Sequence, residues 1–227
     1  MGIPANYSRE LPERCLYLID QFLPQVEQTF LPGQEAVGPL TTTFLLAMAT
    51  PIVVLPIERV ERHRTAVAEG YVDDRALSPE LAAAVAASLG GSPVRKSPFY
   101  EIGKWRLARI PHQPGQNLAR YFPHDLSESL SSQQAETAAS AMCASEWASC
   151  VRNALAHGGI AYLDANAHQT YGQKAEKLAF ISGKYGIDPA KPEQLRVLCI
   201  DESNFLVFLR KWVAWLSETG LSFELAA

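Results

Sequence analysis

Positive charge is scarce in this chain. Twenty Lys and Arg residues stand against 24 Asp and Glu, for a formal net charge of −4. A general nucleic-acid binder usually carries a basic surplus, so any contact with RNA must draw on positive charge gathered locally. Metal-binding spacing is missing too. The four cysteines, Cys15, Cys143, Cys150 and Cys199, include no C-x-x-C pair and join no histidine set of zinc type. No metal or other cofactor is expected. Cys143 and Cys150 lie on one predicted helix, which would put their Cα atoms roughly 10 Å apart at about 1.5 Å rise per residue, beyond the reach of a disulfide. Buried, reduced thiols in a reducing, cytoplasmic compartment are the expectation. No apolar segment follows the charged start MGIPANYSRELPERC, which argues against a secretory signal. Internal repeats and low-complexity tracts are absent. With 48% hydrophobic and 19% charged residues, the composition is that of a globular chain, and it reads as one domain over 1–227.

One long stretch has no formal charge at all, the 22 residues from Ala36 to Ile57. Three consecutive threonines, Gly38, Pro39, Pro51 and Pro56 interrupt it, so it makes a poor membrane span. A bent central helix buried on most sides is expected instead, with no membrane partner. Before it, apolar positions from Leu11 to Phe30 recur at helical spacing, with Pro24 expected to bend or split the helix. Ser78-Pro79-Glu80-Leu81 is a helix start with a capping serine and proline at the first position. Gly90-Gly91 closes that helix. Residues 92–125 remain open between a short helix and a strand. IAYLD, KLAFISG and RVLCI are short and strand-like. NFLVFLRKWVAWLSE reads as a last helix ending at Gly220. The fold class is therefore mainly α, with a small β-hairpin or sheet near residues 160–200.

From Gln133 to Ala156 there is no glycine or proline, which predicts a long helix ended by Gly158-Gly159. Asp125-x-x-Glu128 and Ser131-x-x-Gln134 have the form of capping boxes before it. Ala144, Trp147, Ala148, Val151 and Leu155 make an apolar stripe. Ala139, Cys143, Glu146, Cys150, Asn153 and His157 make a second stripe by the i+3/i+4 rule, with Arg152 beside it. A guanidinium that can clamp a phosphate and an imidazole that exchanges protons near neutral pH suit phosphoryl chemistry. The competing reading is plain helix capping by Arg and His near a C-terminus. Arg106 and His112 satisfy the same loose Arg-to-His spacing, but Pro111 and the PHQPGQ loop mark that pair as a decoy.

The wording of the first pair carries more. RNALAHGG, residues 152–159, resembles the motif of the HEPN superfamily (higher eukaryotes and prokaryotes nucleotide-binding): an Arg, four to six residues, then a His, with a polar residue after the Arg. Asn153 fills the polar place. PLTTTFLLAMATPIVVLPIERV is similar to the central helix of one bacterial branch. The resemblance implies a HEPN-like helical bundle that forms a homodimer and brings two copies of the motif into one cleft. It further implies either a metal-independent endoribonuclease, often a toxin or defence effector with an antitoxin as candidate protein partner, or a catalytically silent nucleotide- or protein-binding module. On the ribonuclease reading, His157 is the general acid or base at a ribose 2′-hydroxyl, Arg152 stabilises the transition state, and Asn153 orients the phosphate or supports the histidine. Glu146 is added by helical spacing alone, as possible support or as a surface acid. The strands after residue 160 are expected to be additions to the bundle. Lys174 and Lys177 are a candidate source of positive charge for the cleft. His63 reads as part of a solvated charged face, Trp212 and Trp215 as core or dimer contacts, and His112, His124 and His168 have no assigned partner.

Overall fold

The structure is a computed structural model that describes residues 7–60, 79–185 and 192–224. His63 and the Ser78 cap lie outside the described residues. Helix α1 (Tyr7–Val26) contains Pro12 and Pro24. Pro24 does not split it, because it falls in the final turn, where one missing N–H interrupts little. Helix α2 (Thr41–Ala49) passes through a π-turn (Thr50–Val54) into α3 (Leu55–Val60). The wide turn accommodates the two prolines that interrupt this run. Pro56 has no N–H to offer the carbonyl of Ile52, and the indole Nε1–H of Trp212 donates to that carbonyl at 2.9 Å. Trp212 lies on the last helix, α8 (Glu202–Glu224), so a proline in one helix is answered by a tryptophan in another. Ile52, Val53 and Ile57 are buried there. By length and composition Thr41–Arg59 is the one helix among the described residues apolar enough to cross a membrane, at mean hydropathy 1.5, and 44% of it is buried within the protein.

Helix α4 (Pro79–Ser88) starts at the predicted proline. The open segment resolves into a short 3-10 turn (Val94–Lys96) and strand β1 (Trp105–Pro111). Helix α5 (His124–Ser131) leads to α6 (Gln133–Ala141), whose cap is Ser132, accepting from Ala135 N–H at 3.2 Å. Ser131 instead donates to the carbonyl of Ser127 at 3.0 Å. The long helix expected over 133–157 is broken. Helix α7 (Ala144–His157) begins anew after extended backbone at Met142 and Cys143. Segment 92–94 pairs with the break: Val94 N–H donates to Met142 O at 2.8 Å, and Ala144 N–H to Ser92 O at 2.9 Å. Those tertiary hydrogen bonds override a local helix preference worth only tenths of a kcal/mol per residue. At the other end of the chain, α8 runs through Gly220 rather than stopping at it.

Strands β2 (Ile160–Leu163), β3 (Lys177–Tyr185) and β4 (Pro192–Asp201) join β1 in a four-stranded antiparallel sheet of order β1-β4-β3-β2. The chain is mainly helical with this small sheet. The sheet is not an addition to a bundle, however, because its two faces carry the two cores. On one face Trp105, Leu107, Leu178, Phe180, Leu198 and Ile200 merge with α1, α2, α4, α7 and α8. Four tryptophans meet there: Trp105 and Trp147 ring centroids are 4.9 Å apart, and Trp212 and Trp215 5.0 Å apart. Trp212 and Trp215 are thus core residues. On the other face Ala108, Ala161, Ala179, Val197 and Cys199 pack against Leu118, Phe122, Leu126 and Leu130.

Candidate functional site

Helix α7 places the motif. Its N-terminus is held by the loop before the 3-10 turn, with Ser145 N–H donating to Gly90 O at 3.3 Å. Its C-terminus closes at Gly158 in the left-handed conformation, φ 69°. Gly159 N–H reaches back to Ala154 O at 2.9 Å, the six-to-one bond of a Schellman end. Glycine is required next door for a second reason: a Cβ on Gly159 would sit 2.5 Å from the carbonyl oxygen of Ile181. The helix end is pressed against β3, where Ile181 N–H donates to Gly159 O at 2.7 Å.

The apolar stripe faces the core as the spacing predicts, with Ala144, Trp147, Ala148 and Val151 buried. The second stripe is covered as well, and by the sheet. Glu146 Oε1 lies 3.8 Å from Arg196 and 3.9 Å from Lys184. The Cys150 thiol points at the carbonyls of Phe180 and Arg196. Asn153 Nδ2 donates to Ser182 Oγ at 3.2 Å. Glu146 and Asn153 therefore dock α7 onto β3 and β4, while Ala139 and Cys143 belong to no common stripe with them because the helix breaks between. Burial pushes the Cys150 thiol up to about 12, against a smaller opposing pull from Arg196.

Arg152 leaves the other way. Its Nη1 pairs with Glu58 of α3 at 3.2 Å, both side chains about one-fifth exposed, and its buried Nε has no hydrogen-bond partner. His157 stands exposed in the last turn and makes no hydrogen bond or ion pair with a described residue. Five residues at about 100° each set Arg152 and His157 about 140° apart around the helix axis. A single copy of the chain thus presents the guanidinium and the imidazole on different faces.

The other candidates separate from this site. Arg106 is bound to Glu136 at 3.1 Å on β1 and lies on no helix with His112. Lys177 pairs with Asp201 at 2.7 Å, at the end of β3 away from Ser182, and Lys174 packs under Gly38. Neither lends charge to α7. His124 and His168 face one another at 5.3 Å, beside Glu128 and Asp164 respectively. Glu58, Ser182, Lys184 and Arg196 were missed by sequence reasoning. Glu58 sits in the run IERVERHR, and nothing in its local spacing ties it to an arginine so distant in sequence. Among the described residues no three His, Cys, Asp or Glu side chains gather as a metal would require. The four cysteines are unpaired, with Cys15, Cys150 and Cys199 buried and Cys143 half-buried. No protein-family model, no curated protein and no solved structure matches this chain.

Proposed function

We propose that the chain is a HEPN-type, metal-independent endoribonuclease whose active centre is composite, formed when two copies bring their α7 ends together. The observation that carries the reading is the state of His157: it is the one motif side chain left exposed and without a partner among the described residues, at the end of the helix that also carries Arg152. Because Arg152 emerges about 140° away, a guanidinium near that imidazole is best supplied by the second copy. His157 takes the proton from a ribose 2′-hydroxyl; the 2′-oxygen bonds to the adjacent phosphorus; the bond from phosphorus to the 5′-oxygen breaks. The leaving 5′-oxygen accepts a proton, and the products are a 2′,3′-cyclic phosphate and a 5′-hydroxyl. Arg152 stabilises the charge on the phosphorane, with Glu58 fixing the direction of its side chain. Asn153 and Glu146 position α7 through Ser182, Arg196 and Lys184 and do not touch substrate. A role as toxin or defence effector in the cytoplasm, with an antitoxin partner, accords with this chemistry and with four free cysteines.

The Arg152–Glu58 pair also favours a second reading. A guanidinium already neutralised by a carboxylate is a weak phosphate clamp, as a catalytically silent binding module would have. One experiment separates the two. Purified protein is incubated with end-labelled RNA in EDTA, and fragment ends are mapped. The enzyme reading expects cyclic-phosphate ends from wild type and a loss of at least about 100-fold in His157→Ala, with both proteins equally dimeric by light scattering. Equal, intact RNA in both samples selects the silent module.

A further inference from the structure

The local positive charge that an acidic chain would need in order to hold RNA is assembled by the sheet. Residues of β1, β3 and β4 whose side chains share the α7-facing side include Arg109, Lys184 and Arg196. Arg109 and Arg196 are direct cross-strand partners, and Ser182 lies opposite Arg196 on the third strand. Like charges directly opposite one another destabilise an antiparallel pair. Glu146 is the acid that faces this group, 3.8 Å from Arg196 and 3.9 Å from Lys184. Among the described residues, three cations are thus set against one carboxylate.

The arrangement is not fully satisfied from within. The Arg196 side chain is 8% exposed; it donates to Gly183 O at 3.2 Å, and its buried Nε has no partner. Arg109 is exposed and has no ion pair with a described residue, and Lys184 is 53% exposed. An anion bound by Arg109 and Lys184 would relieve the repulsion that the register builds in, with the buried Arg196 adding its field from behind. We propose that Arg109, Lys184 and Arg196 form a backbone-phosphate site for single-stranded RNA, which feeds the strand towards His157. The proposal deepens the ribonuclease reading and rests on it for the choice of RNA. Geometry connects the two places. Glu146, Cys150, Asn153 and His157 follow one stripe of α7; the sheet covers that stripe as far as Asn153, and the cluster and the exposed imidazole emerge at its two ends. The eleven helical rises from Glu146 to His157 span roughly 16 Å, a distance that a short stretch of single strand covers.

The test uses the full chain carrying His157→Ala, so that RNA survives, and a fluorescein-labelled single-stranded RNA of about 12 nucleotides. Affinity is measured by anisotropy across a salt series. Adding Arg109→Ala and Lys184→Ala, both at exposed positions that leave the fold intact by circular dichroism, weakens binding about tenfold or more. The same pair lowers the slope of log K against log salt by about 1.4, two phosphate contacts at about 0.7 each. Glu146→Gln, which removes the acid seen beside Lys184 and Arg196, tightens binding. Unchanged affinity and slope in the double variant overturn the site while leaving RNA cleavage by the wild type untouched. Absence of RNA binding by the His157→Ala chain overturns it equally. Binding with the predicted salt slope but no cleavage by the wild type keeps the site and sinks the enzyme.

Discussion

Cys143 and Cys150 stand near one another in sequence and differ in chemistry because of where the fold puts them. Cys143 caps α7 half-exposed beside Ser145, at 3.0 Å between sulfur and oxygen. Cys150 and Cys199 are buried, and burial pushes both thiols up to about 12; burial raises Cys15 as well. The thiolate is the reactive species, so access and ionisation act in the same direction. A disulfide reagent at pH 8 should therefore modify Cys143 rapidly in the native protein, and the other three only after urea unfolds it. Rapid native modification of Cys150, read by peptide mass, would show that α7 separates from β3 and β4. At the same scale the Arg152–Glu58 pair limits what the motif can do: one guanidinium arm is committed, and Nε is enclosed.

Helix α7 is the element on which the proposed function depends, and its two glycines do different work. Gly158 needs its left-handed backbone but has open space around a notional Cβ. Alanine there costs about 1–2 kcal/mol of backbone strain. Gly159 faces the Ile181 carbonyl at a notional 2.5 Å, so alanine must push the helix end from β3 and disrupt the bond that starts the β2–β3 pairing. Gly159→Ala should accordingly lower the melting temperature more than Gly158→Ala, by an excess of about 1 kcal/mol or more in urea titrations. The opposite order would mean that the helix end is not clamped against the strand. The break before α7 follows the same logic. Met142 and Cys143 have no helix-breaking residue type, yet their backbone groups find partners in segment 92–94.

Across the whole molecule, the sheet divides the interior and a buried thiol lies on each side of it, Cys150 in the aromatic core and Cys199 in the smaller one. Both groups keep their protons in the folded state well above the ordinary thiol value of 9.0. The unfolded chain binds fewer protons than the native one once pH passes that value, so stability falls with rising pH. The contribution is whole below about pH 8.5 and is lost progressively towards pH 12. The urea midpoint should drop between pH 8 and 10.5, and the drop should shrink in Cys199→Ala. An identical pH slope in that variant would place the alkaline loss elsewhere. Two copies of such a chain are required for the proposed ribonuclease, since α7 sends Arg152 and His157 to different faces of one copy.

Some of this architecture is decided locally. The uncharged run turns helical from Thr41 because Ile52, Val53 and Ile57 gain a buried apolar face there, Pro79 begins α4 because its missing N–H is harmless there, and Gly158 ends α7 because it accepts a left-handed turn. The apolar stripe of α7 was visible because periodicity within a few residues reports burial on one side, and the strands KLAFISG and RVLCI because short apolar runs between turn residues report burial on both. What no local pattern could reveal is which partner covers the other side. Glu146 and Asn153 carry the spacing of an open polar stripe, and only the approach of β3 and β4 turns them into docking contacts. Glu58 reaches Arg152, Trp212 reaches Ile52, and Arg109 lies opposite Arg196 because chain closure brings distant residues together. Hydrogen bonds and charges are satisfied by whatever stands nearby in space, a quantity that sequence separation does not encode.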